Sequence, residues 1–65
     1  MDFVYVLIYE DEWEDMVILL SEEEAVNESK KHPYARVEIF GKNKKSGGYI
    51  STYNYYKNGD FIENS

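Results

Sequence analysis

The segment Phe3–Tyr9, FVYVLIY, constrains the fold more than any other stretch. β-branched and aromatic residues dominate it, so it reads as a strand. Alternation puts Val4, Val6 and Ile8 on one face and Phe3, Tyr5, Leu7 and Tyr9 on the other. Both faces are apolar, whereas a strand half open to water alternates apolar with polar. This strand is therefore expected at the centre of a sheet. One side would be covered by a helix, and the other by loops, a partner or tyrosine rings.

The rest of the chain supplies that sheet. Residues 10–15 (EDEWED) read as an acidic turn, and residues 16–20 (MVILL) as a second strand pairing with the first. Ser21-Glu22-Glu23-Glu24 matches a capping box: Ser21 would accept from the Glu24 amide while Glu24 reaches back to the Ser21 amide. A helix follows over Glu22–Lys31, with three acids at its positive end, Lys30, Lys31 and His32 at its negative end, and Pro33 blocking continuation. Its apolar face is only Ala25, Val26 and the small Ser29, so the sheet must hold it. Residues 35–40 (ARVEIF) alternate as a third strand. Residues 41–48 (GKNKKSGG) form a basic loop that lacks the Walker phosphate-binding spacing.

The final stretch, residues 47–63 (GGYISTYNYYKNGDFIE), holds four of the seven tyrosines. Asn58-Gly59 signals a two-residue type I′ hairpin. The implied register pairs Lys57 with Asp60, Tyr56 with Phe61, Tyr55 with Ile62 and Asn54 with Glu63. Strict alternation would put Tyr49, Ser51, Tyr53 and Tyr55 on one face with Ile62, and Tyr56 on the other with Phe61. The order is thus ββαββ(β): an α+β fold, a mostly antiparallel sheet of four to five strands with one helix on one face. A β-grasp-like version would set the first and fourth strands side by side; a simpler antiparallel sheet is the alternative. A single small domain over residues 1–65 is expected.

At 65 residues the core is small, about 60% of the unfolded surface being buried at such a size. With no cysteine and one histidine, a disulfide or a Cys/His zinc site is excluded. Large aromatic rings are the remaining source of burial. The net charge of −6 is uneven: residues 1–32 carry ten acids against two lysines (−8), and residues 33–65 three acids against five bases (+2). Such an acidic half argues against duplex DNA or an anionic membrane as partner and suits a basic protein. No run approaches the ~20 apolar residues of a membrane span, and the acidic start lacks a signal peptide's positive region. An intracellular location is expected.

Two groups stand out as partner-binding candidates. Tyr49, Tyr53 and Tyr55 form an aromatic sheet face. Their plain role is to cover the outer side of the sheet, and their functional role is a partner or dimer surface, where tyrosine is enriched. Lys42, Lys44 and Lys45 beside Tyr49 raise base stacking on single-stranded nucleic acid, but the RNA-recognition consensus is missing and the net charge is wrong. The second group is Trp13 with Glu12, Glu14 and Asp15. The acids read plainly as a solvated turn, Trp13 as a cover for the sheet edge. Exposed, Trp13 would be an anchor flanked by charge for a basic partner. A calcium site would need a turn glycine that is absent there. Ser21, Ser29, Ser46, Ser51 and the lone His32 have no nucleophile motif around them, and paired carboxylates on an open turn have no dry cleft to separate their pKa values. No catalytic residue, cofactor or metal ligand is assigned.

The runs SEEEAVNESKKHPYARVEIFGK and GGYISTYNYYKNG resemble small orphan proteins encoded by large double-stranded DNA viruses. The likeness spans the last two thirds of the chain and rests on Asn, Lys, Tyr and Ile richness and short βαβ spacing. It implies a virion component or host-directed accessory factor, with no catalytic residues to carry over. The expected function is a non-catalytic protein-interaction module whose partner has a basic surface or is a second copy. The alternatives are an acidic DNA mimic that inhibits a basic nucleic-acid-binding protein and a weak single-strand binder.

Overall fold

The computed structural model describes residues 2–9 and 12–63, without the side chains of residues 12–15. Its elements are β1 (Phe3–Tyr9), β2 (Glu12–Leu19), α1 (Glu22–Lys31), β3 (Arg36–Lys42), β4 (Tyr49–Lys57) and β5 (Asp60–Ile62). The strands form one sheet in the order β2-β1-β3-β4-β5, every neighbouring pair antiparallel. This is the α+β fold expected, with α1 on one face.

β1 lies between β2 and β3, as its two apolar faces require. The β-grasp version does not hold, because β3 rather than β4 is its second neighbour. Both β2 and β3 run antiparallel to β1, so α1 is a crossover joining two parallel strands that flank it. The link of residues 32–35 after α1 is short. It delivers β3 to a slot two strand spacings from β2, about 10 Å, instead of carrying it past a further strand.

The second strand also starts earlier than the sequence indicates. β2 begins at Glu12, so four residues read as turn belong to it, and Leu20 falls outside. β2 is an edge strand. Charged residues are at home there, where one side faces water and charge discourages pairing with another sheet. Extra β2 residues are taken up by an irregularity: Leu7 pairs with Val17, but Tyr9 with Glu12.

On the helix side, Leu7, Leu19, Val37, Ile39 and Tyr56 pack with Ala25 and Ala35, flanked by Tyr5, Tyr9 and Val26. The α1 cap is close to expectation. Ser21 Oγ accepts from the Glu24 amide at 3.2 Å. Its hydroxyl, rather than its backbone amide, donates to Glu24 Oε1 at 3.2 Å. At the other end the His32 amide donates to the Glu28 carbonyl, and the His32 ring packs edge-on against Tyr9 with centroids 5.1 Å apart.

The closing hairpin has its expected register for three pairs, Lys57–Asp60, Tyr56–Phe61 and Tyr55–Ile62. Asn58 and Gly59 have φ of 51° and 83°, as a type I′ turn requires. The fourth pair does not form, since β5 ends at Ile62. Its turn is clamped to the helix: the Gly59 amide donates to Ser29 Oγ at 2.9 Å, and that hydroxyl donates to the Val26 carbonyl at 2.8 Å. Ser29, which reads as a filler on a thin apolar face, is fully buried and ties α1 to the β4–β5 turn.

Candidate functional site

The sheet alternation that buries Leu7 and Val37 beneath α1 turns Val4, Val6, Ile8, Ile18, Phe40 and Ile62 to the opposite face, over which no helix of the described residues lies. Val6 and Ile8 are buried, with the ion-paired Arg36 and Glu38 opposite them in the ladder, Nε to Oε1 2.8 Å. Ile18 is 61% exposed, and Ile62 also reaches solvent.

Tyr49 and Tyr55 belong to this back face, pairing with Lys42 and Glu38 of β3. They are four residues apart in β3 register, about 13 Å, with the Phe40–Ser51 pair between them. Tyr49 is exposed and Tyr55 half-buried.

Tyr53 does not share that face regularly. The register slips by two residues between Glu38–Tyr55 and Phe40–Ser51, and Tyr53 takes φ of 68°. A non-glycine residue in this region marks a local departure from the strand. The Tyr53 amide donates to Ser51 Oγ at 3.0 Å, the Asn54 amide to Thr52 Oγ1 at 3.2 Å, and Thr52 Oγ1 donates to the Ile39 carbonyl at 2.8 Å. These local bonds hold a bulge that leaves Tyr53 67% exposed. The expected row of three tyrosines is therefore two on one face and one in a bulge. Strict alternation misses it, although Ser51 and Thr52 are residues able to bind nearby amides in this way.

The side chains of Trp13, Glu12, Glu14 and Asp15 lie outside the described residues, as do Glu10 and Asp11 entirely. The backbone of residues 12–15 belongs to the β2 edge strand, beyond β1 from the tyrosines of β4.

A second feature was not legible beforehand. Beyond the N-terminus of α1, the helix-side face of the sheet stays open as a groove of about 200 Å³. Phe3, Tyr5, Tyr56 and Phe61 supply its rings and Ile39 lies among them. The Tyr5 and Tyr56 rings are 6.5 Å apart and tilted by 47°; Tyr56 and Phe61 are 5.6 Å apart and near edge-on. Phe3 and Phe61 are each about half exposed. The Tyr56 hydroxyl donates to Glu22 Oε2 at 2.7 Å. Burial, with that hydrogen bond and the Glu22 charge, pushes the Tyr56 hydroxyl up to about 12; burial and then Glu22 raise Tyr5 as well. The usable sequence signals were the shared alternation of Phe3 with Tyr5 and the Tyr56–Phe61 hairpin pair. Nothing in the sequence showed that β1 and β4 would lie one strand apart, so that the four rings line one groove.

Among the described residues no three His, Cys, Asp or Glu side chains gather as a metal ligand set. Nor is any helix among them long and apolar enough to cross a membrane. Comparison of the chain with protein-family models, curated proteins and solved structures finds no match.

Proposed function

We propose that this chain is a small non-catalytic protein-interaction module that acts inside a cell. The observation behind this reading is the back of the sheet, where Ile18, Tyr49 and Ile62 are exposed and Phe40 and Tyr55 half exposed around the Arg36–Glu38 pair, with no helix of the described residues over them. Exposed apolar surface of this kind marks interaction sites, and tyrosine offers contact area at low entropic cost. The net charge of −6 favours a partner with a basic surface. The resemblance of residues 21–59 supports a virus-encoded accessory or structural role in a host cell. A second reading, weak single-strand binding, has one observation in its favour: Tyr49 lies across the ladder from Lys42, beside the Lys44–Lys45 loop.

The test uses the full chain as bait in extract from its natural context, alongside Tyr55→Ala, Ile18→Asp and the exposed control Tyr34→Ala. A basic protein retained by the parent and the control, and lost with both back-face variants, is the expected result. Retention unchanged by either back-face variant would overturn the proposal. Light scattering on the isolated chain identifies the self-pairing version, and a labelled-oligonucleotide shift at low salt identifies the nucleic-acid reading.

A further inference from the structure

The groove beyond the start of α1 combines three properties. The rings of Phe3, Tyr5, Tyr56 and Phe61 line it together with Ile39, Thr52 and Asn54, its rim carries the Glu22 carboxylate, and no Lys or Arg lines it. We infer that this groove takes the cationic side chain of a lysine presented by a basic protein segment. The site is separate from the back-face surface and stands without it.

Ring faces attract ammonium groups through their quadrupole, and the attraction grows as the cation loses water. Neighbouring rings here are inclined to one another by 47° and 63°, so they do not stack flat and close the space. Ile39, almost wholly buried, lies with them to meet an aliphatic stem. Glu22 supplies the opposite charge. Its Oε2 already accepts the Tyr56 hydroxyl, which orients the carboxylate toward the rings. A carboxylate has about four lone-pair sites, so capacity remains for an incoming N–H donor. Burial first, and the Glu22 charge after it, raises the Tyr5 and Tyr56 hydroxyls, so both stay neutral beside an incoming cation.

Size and charge select the occupant. A volume of about 200 Å³ is below the ~300–1,000 Å³ of drug-sized ligand pockets and suits one side chain. Anionic or phosphorylated partners would meet Glu22 with Glu23 and Glu24 behind it, all exposed. Arginine's broad, planar fork has to meet both carboxylate oxygens in one plane, a tighter geometric demand beside the Tyr56 hydroxyl on Oε2. A lysine ammonium is a compact point charge that needs only one acceptor.

The experiment is an NMR titration of the full chain with three probes. They are a short Gly/Ser peptide carrying one lysine, the same peptide with norleucine in its place, and free n-butylammonium. The lysine peptide is expected to shift the resonances of Phe3, Tyr5, Tyr56 and Phe61, with norleucine weaker by about 2- to 30-fold. Glu22→Gln, which leaves the Ser21–Glu24 cap in place, should lose that discrimination. Phe61→Leu should weaken binding while keeping apolar area, and Tyr55→Ala on the back face should leave it unchanged. Norleucine binding as well as lysine, or silence at millimolar lysine peptide with the spectrum intact, would overturn the inference. Free n-butylammonium binding as tightly as the peptide would overturn the assignment to a protein segment. Since Tyr55 serves the other surface, failure of one proposal is distinguishable from failure of the other.

Discussion

Replacing Ser29 with alanine should loosen the whole domain, although it removes a single buried oxygen. Ser29 Oγ is the meeting point of two elements 30 residues apart in sequence, accepting the Gly59 amide at 2.9 Å and donating to the Val26 carbonyl at 2.8 Å. Ala would leave the Gly59 N–H without its acceptor. A group orphaned in this way costs about 1–3 kcal/mol, the lower part applying where water can reach it, and Gly59 is half-buried. Alanine's better helix propensity returns about 0.5 kcal/mol. The net expectation is a loss of about 0.5–2.5 kcal/mol. A domain of 65 residues holds about 3–10 kcal/mol in all, so this is a large share. Near the midpoint it lowers Tm by roughly 2–20 °C. Thermal unfolding followed by circular dichroism measures it, and amide exchange at Gly59 should quicken in parallel. Ser46→Ala is the control, since that hydroxyl serves only the exposed Gly48 amide. A Ser29→Ala variant within about 0.5 kcal/mol of the parent would refute the clamp as a stabilising contact.

Approached from the other side, Gly59→Ala should cost about 1–2 kcal/mol for its φ of 83° alone. The new Cβ would also come within 2.8 Å of Lys30 Cε, a flexible chain that can move aside; urea titration of the variant with and without Lys30→Ala separates the two costs. Tyr53→Gly should be neutral or stabilising by up to about 1 kcal/mol, because it relieves a φ of 68° at an exposed residue, whereas Tyr53→Val should destabilise. Chemical denaturation reads both, and a destabilised glycine variant would mean the ring contributes packing. The Tyr56 hydroxyl, held at about 12 against an ordinary 10.0, binds its proton more tightly folded than unfolded. Its contribution is complete below pH 10 and is lost as pH rises through about 12. Tyr56→Phe should flatten the stability curve across that window, and an unchanged curve would assign the alkaline loss elsewhere. Leu7→Ala, in the middle of the core, should cost about 2–5 kcal/mol and leave the chain largely unfolded when heated modestly, while Tyr34→Ala should stay within about 0.5 kcal/mol.

What the amino-acid order determined by itself was local or periodic. The central place of β1 follows from apolar residues on both its faces. The bounds of α1 follow from Ser21 and Pro33, and the β4–β5 register from Asn58-Gly59. Each rests on interactions within a few residues, where chain geometry leaves little choice. Tertiary structure alone decided that β3 rather than β4 stands beside β1, because strand order depends on where a crossover lands. It also decided that four acid-rich residues extend an edge strand, that Tyr53 leaves the alternation, and that Ser29 meets Gly59. The groove belongs to the same group. Phe3, Tyr5, Glu22, Tyr56 and Phe61 are spread along the chain, and only the packing of β1, β3 and β4 beneath a helix too short to cover them brings them together.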